Sequence, residues 1–184
     1  MDRRQALKLT SGLVMGTVIG AELFLAGCSS NTKATGMFSE SDILFLDEVG
    51  ETILPETADS PGAKAAKIGR FMETIVTDCY NEREQSLFKE GIQKLESFAQ
   101  RRYSQDFMEL SGAERHTLLV EVDKQASEIT DNENPHYFTM IKQLTIWGYF
   151  TSRPGVTQAL RYNPVPGEFK GCVPYVAGEK AWIQ

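Results

Sequence analysis

The chain has 184 residues, 41% of them hydrophobic and 24% charged, with a formal net charge of −6. Such proportions are ordinary for one globular domain with a tail, long enough to bury a core without help from metals or disulfides. An acidic balance with no basic cluster argues against nucleic acid as a partner.

The amino terminus opens on a short charged stretch (Arg3, Arg4, Lys8) and continues as a mostly apolar run over 9–27. That is the layout of an export signal. Arg3 and Arg4, followed by Leu7 and Lys8, resemble the twin-arginine pattern read by a translocase that carries folded proteins. Asp2 and Ala6 depart from that pattern. Four glycines (Gly12, Gly16, Gly20, Gly27) and Glu22 dilute the apolar run. A carboxylate near the middle of a span costs roughly 2.5–3.5 kcal/mol on insertion scales, so 1–27 reads as a signal peptide and not as a permanent anchor. The spacing of Gly12, Gly16 and Gly20 also fits a small-xxx-small helix-pairing stripe, which has no role once the segment is removed.

The run ends in Leu25-Ala26-Gly27-Cys28, which resembles a bacterial lipobox. Cleavage before Cys28 would leave an acylated amino terminus, with each buried CH₂ contributing about 0.8 kcal/mol to membrane attachment. The alternative is an ordinary signal peptide with a chance cysteine. Residues 28–38 then read as a flexible tether and 39–184 as the folded domain. Export would place that domain where disulfides are permitted. Cys79 and Cys172 could form an internal bridge closing a loop of ~90 residues, worth up to roughly 4–5 kcal/mol in the chain-entropy model. The alternatives are a bond from one of them to a partner, or two free thiols.

Helical grammar starts at 39. Ile43, Leu46, Val49 and Ile53 recur at helical spacing, Ser and Asp supply start signals, and Leu54-Pro55 ends the helix. Asp59-Ser60-Pro61-Gly62 is a turn with proline presetting its dihedral. A second helix is predicted over 63–80 with Ile68, Phe71, Ile75 and Cys79 on one face. A third, over 82–103, carries Leu87, Ile92, Leu95, Phe98 and Ala99. Ser111 and Glu114 read as a capping box for a fourth, with Leu118, Leu119, Val122 and Ala126 inward. After a polar break at 130–135, a fifth helix over 135–149 presents Phe138, Ile141, Leu144, Thr145 and Trp147. The fold class is all-α, a bundle of about five helices.

From Ser152 the pattern changes. Pro154-Gly155 makes a turn and 156–160 a short helical piece. The stretch 161–174 holds three of the seven prolines and two glycines. It reads as an extended Pro/Gly-rich tail running over a surface of this chain or of another protein.

Candidate chemistry is sparse. There is no G-x-G loop, no G-x-S-x-G and no C-x-x-C-H. His116 and His136 lack metal-ligand spacing and read as surface or capping residues. Asp47, Glu48 and Glu51 could form a general acid/base pair, though a solvated acidic face explains them as well. Met37, Met72, Met108 and Met140 are too scattered for a soft-metal site. The aromatic run from Trp147 through Phe150 suits core packing, a partner-protein surface or a small-ligand platform. No catalytic, cofactor-binding or metal residues are assigned.

Five short stretches stand in order: ETILP (51–55), DSPGAKAA (59–66), DCY (78–80), GYFTS (148–152), and LRY (160–162) followed by PG (166–167). With the twin-arginine start, they resemble the gluconate 2-dehydrogenase subunit 3 family over roughly 40–174. The family comprises small gamma subunits of membrane-associated, flavin-dependent sugar and polyol dehydrogenases. The resemblance implies an accessory role. A large flavoprotein of the glucose-methanol-choline oxidoreductase type would hold FAD and oxidise the substrate, and in such complexes a multihaem cytochrome subunit often carries the electrons onward. The small subunit would bring the export signal and carry its folded partner across through the twin-arginine translocase. The chain would then reside in the periplasm, on the membrane through the lipid at Cys28. The lipobox is not a family requirement and rests on 25–28 alone.

On this reading the partner-binding surface comprises the 54–66 turn (Leu54, Pro55, Pro61, Gly62), the aromatic segment (Trp147, Gly148, Tyr149, Phe150) and the tail (Arg161, Tyr162, Pro166, Gly167). The alternative function is a stand-alone envelope lipoprotein that binds a small ligand or scaffolds the membrane.

Overall fold

The computed structural model describes residues 36–129, 135–165, 167–168 and 171–183. Five α-helices make up the body: α1 (Glu40–Ile53), α2 (Ile68–Cys79), α3 (Glu82–Tyr103), α4 (Gly112–Ser127) and α5 (Tyr137–Thr151). Short 3₁₀ turns at Ala63–Ala66 and Phe107–Glu109 join α1 to α2 and α3 to α4. After α5 comes one π-helical turn, Gly155–Ala159, and then a pair of two-residue strands, β1 (Arg161–Tyr162) and β2 (Trp182–Ile183). The expected all-α bundle is observed, and its only strands among the described residues lie in the tail.

Three helices start on reciprocal capping boxes: Ser39 with Asp42, Asn81 with Glu84, and Ser111 with Glu114. Each pairs a side-chain oxygen with an orphan N–H of the first turn and returns a carboxylate to the cap N–H. At Ser111 the two hydrogen bonds also hold the Glu114 carboxyl below its ordinary pKa.

α5 packs against all four other helices. Its composition explains this: Tyr137, Phe138, Met140, Ile141, Leu144, Thr145, Gly148 and Tyr149 are buried on one broad side. A helix with so broad an apolar side packs against several neighbours at once. The hydroxyl of the fully buried Thr145 donates to the Ile141 carbonyl at 2.8 Å, so it carries no unsatisfied group inward. Trp147, for which core packing and a partner-facing position were both open, is 53% exposed.

The second helix differs from its prediction in both start and face. The chain breaks at Lys67, which adopts a left-handed conformation (φ 53°), separating the 3₁₀ turn from α2. The break lets α2 approach α1 so closely that a Cβ on Gly69 would lie 2.2 Å from the Ile43 carbonyl oxygen. Asp47 on α1 accepts the Gly69 N–H at 2.7 Å, capping the new helix start from outside. Wedged between α1 and α5, α2 buries Ile68, Met72 and Val76. Phe71 and Ile75 are half-buried at its flank, and Cys79 is exposed.

His136 caps α5, its Nδ1 accepting the Phe138 N–H at 3.2 Å while its ring lies 4.2 Å from that of Tyr137. Burial, with the Lys94 ammonium nearby, pushes its pKa down and favours the neutral ring that the cap requires. The stability from this depressed pKa is present above the unfolded value of about 6.5 and is lost as pH falls through that region. Acidification from pH 7.5 to 5.5 is therefore expected to cost up to about 1 kcal/mol, the scale of an N-cap, compounded by a positive charge at a helix amino terminus. Urea unfolding at the two pH values checks this: His136→Asn should remove most of its part in the pH dependence, and an unchanged slope in that variant would refute the assignment.

Candidate docking surface

The turn after α1 is shaped by a single carboxylate. Glu51 accepts the Glu56 N–H through Oε1 and the Lys64 N–H through Oε2, both at 2.9 Å. Gly62 lies against that carboxylate, where a Cβ would collide with it. The Ala63 N–H closes the loop onto the Leu54 carbonyl at 2.9 Å. One turn earlier, Glu48 pairs with both Lys64 and Arg115, and its side chain is only 14% exposed. Asp47, Glu48 and Glu51 are thus not a solvated face; each holds a loop or a helix start in place. Their use was missed because their partners are backbone groups and distant basic residues, which spacing along the chain does not reveal.

The expected surface residues divide into supports and exposed groups. Tyr149 is 3% exposed and donates its hydroxyl to the Pro61 carbonyl, so it anchors the turn from inside. Gly62 and Gly148 are buried too. A Cβ on Gly148 would lie 2.5 Å from Phe71 Cδ1, so the glycine makes room for that ring. Phe71 then meets Trp147 edge-on at 5.5 Å and 81°, propping the indole outward. Phe150 is half-buried against Tyr149 at 5.1 Å. Leu54 and Pro61 are half-buried, and Pro55 is exposed. Pro55 also lines a shallow cleft of about 270 Å³ with Thr52, Ile53, His116, Phe138 and the Asp123–Lys142 ion pair.

The tail returns to this same region. Lys180 donates to the carbonyls of Asp59, at 3.2 Å, and Gln158. β1 and β2 pair in parallel, with Arg161 N–H to Ala181 at 2.8 Å and Asn163 N–H to Ile183 at 3.0 Å. The Arg161 guanidinium stacks 3.9 Å from the Trp182 ring centre and lies 3.8 Å from Glu179. Gly167 is exposed with φ 68°. Lys180 and Trp182 went unnoticed in the sequence, although a tryptophan near the end of a Pro/Gly-rich tail was the available signal.

The structure thus links the turn, the end of α5 and the base of the tail, around Pro61 and Asp59. Both tryptophans of the chain are exposed beyond half, Trp147 at 53% and Trp182 at 55%, and Tyr162, Val165, Val173, Tyr175 and Val176 are exposed as well. Tryptophan and tyrosine on a surface are favoured anchors of protein interfaces. The Cys79–Cys172 bridge is not formed: both thiols are exposed and free. Arg3, Arg4, Cys28 and Pro166 lie outside the described residues. Among the described residues no three His, Cys, Asp or Glu side chains converge as a metal site, and no helix is long and apolar enough to cross a membrane.

A family model described as gluconate 2-dehydrogenase subunit 3 matches residues 40–167. No curated protein and no solved structure matches.

Proposed function

Because the chain belongs to the gluconate 2-dehydrogenase subunit 3 family, we propose that it is the non-catalytic small subunit of a periplasmic, FAD-dependent sugar or polyol dehydrogenase. In this reading FAD belongs to a large partner of the glucose-methanol-choline type, and a multihaem cytochrome subunit is the natural electron acceptor. The small subunit carries the folded flavoprotein through the twin-arginine translocase by means of Arg3 and Arg4. It then stabilises its partner and tethers it to the membrane through acylated Cys28. The observation that carries the docking part is the exposure of both tryptophans on a body whose own core is complete. Rigid aromatic anchors left in water gain free energy once a partner covers them. Glu51, Tyr149 and Phe71 serve this role indirectly, by fixing the loop and the indole before the partner arrives.

The test uses the tagged full-length chain in its native host, followed by affinity purification from the envelope and a flavin absorbance spectrum. A flavoprotein in stoichiometric amount is expected. Exchanging Arg3 and Arg4 for Lys should leave both proteins in the cytoplasm, with envelope dehydrogenase activity falling at least tenfold. Normal export of the flavoprotein in that variant would sink the escort role, and a colourless chain without a partner would sink the subunit reading.

A further inference from the structure

We propose that the outer edge of β2, at Trp182, is where the partner adds a strand to this chain, and that the added segment is extended and acidic. The inference rests on the subunit reading above and specifies how that partner is held. A parallel two-stranded pair is an incomplete unit: parallel sheets are normally covered, and two strands alone are marginal in water. Here Arg161 and Asn163 use their N–H groups on Ala181 and Ile183. Alternation along a strand then turns the N–H and C=O of Tyr162 to one outer edge and those of Trp182 to the other.

The two edges are not equivalent. Pro164, two residues beyond Tyr162 and next in line on the same side, has no N–H to offer, a common way of closing an edge. The β2 edge carries no such block, since Lys180 and Trp182 both keep their N–H groups. Its flanks are exposed, with Trp182 at 55% and Tyr162 at 48%. Charge indicates what pairs with it. The body is acidic, but over 152–184 the basic Arg153, Arg161, Lys170 and Lys180 outnumber Glu168 and Glu179. A basic, aromatic arm is complementary to an acidic segment. Main-chain pairing supplies affinity in this mode, and side chains flanking the strand supply selectivity.

The experiment compares Trp182→Pro with Trp182→Val, each in the full-length chain, for binding to the flavoprotein subunit captured by the wild type. Both lose the indole; only proline loses the outward N–H, and the β1–β2 hydrogen bonds do not use that group. Proline is expected to weaken binding by about tenfold relative to valine, the scale of lost main-chain hydrogen bonding. Hydrogen exchange on the wild-type complex should slow at the amides of 180–183. Equal affinities for the two variants, or unslowed exchange at 180–183, would overturn the strand-addition mode while leaving the subunit reading intact. Failure of the wild type to capture any flavoprotein would overturn both.

Discussion

Truncating Phe107 to alanine is expected to destabilise the folded chain by about 3–5 kcal/mol, the range for a large buried aromatic ring. The ring has no exposed surface and sits in the 3₁₀ turn between α3 and α4, tilted against Phe45 of α1 at 5.0 Å. Its backbone is held as firmly as its side chain. The N–H donates to the Glu96 carboxylate at 3.2 Å, and the carbonyl accepts from Arg115 Nε at 3.0 Å. The site therefore resists collapse around a smaller residue, which places the cost toward the upper end of the range. Domains of this size are stable by only about 5–15 kcal/mol, so this one change removes a large share of the total. Urea unfolding followed by far-ultraviolet circular dichroism should show a lower midpoint with an unchanged slope. Phe107→Leu should cost less than half as much. A loss under about 1 kcal/mol for the alanine variant would mean that this ring does not seal the core between α1 and α4.

Arg115→Ala is expected to cost about 3 kcal/mol by a different route. The Arg115 side chain is 15% exposed and that of Glu48, its ion-pair partner, 14%. Arg115 also donates to the carbonyls of Phe107 and Met108, the latter at 2.7 Å. Removing the guanidinium strands a half-buried carboxylate and two carbonyl acceptors at once. Breaking one side of such a pair is far more damaging than never having had it. Lys64 still neutralises Glu48 from its more exposed side, which keeps the loss below that of an isolated charge. Lysine at 115 should recover little, because one ammonium cannot reproduce a planar fork that reaches a carboxylate and two carbonyls. In a double-mutant cycle, Glu48→Ala with Arg115→Ala should cost clearly less than the two single losses added together. Additive losses would show that the two side chains do not work as a unit. Since Arg115 holds the backbone carbonyls of Phe107 and Met108, the two sites are expected to couple as well.

These two positions show where reading the chain succeeds and where it stops. The boundaries of α3 agree with prediction because Asn81 and Glu84 form a local capping box and the chain turns left-handed at Ser104. Ser111 and Glu114 behave the same way at α4. Such signals act within four residues, so spacing contains them. Phe107 lies in a three-residue turn with no periodicity, and nothing near it in sequence announces that Phe45, 62 positions earlier, is its neighbour. The face of α2 was misread for a related reason. Ile68, Phe71, Ile75 and Cys79 satisfy helical spacing as well as Ile68, Met72 and Val76 do. The choice between the two stripes is made by α1 and α5 closing from either side.

The candidate docking surface divides along the same line. The sequence alone determined the helical class, the family likeness and the three segments that come together. It did so because each rests on local pattern or on composition. Only the tertiary structure decided what each residue does there. Tyr149 and Gly148 are buried as supports while Trp147 turns outward, although the three are consecutive in one helix. Asp47, Glu48 and Glu51 become clasps for loops brought to them by folding. Lys180 carries the tail back to Asp59, 121 residues away in the chain. A side chain's role follows from which groups the fold places within a few ångströms of it. Hydrogen bonds and ion pairs of that range depend on distance in space and not on separation along the chain.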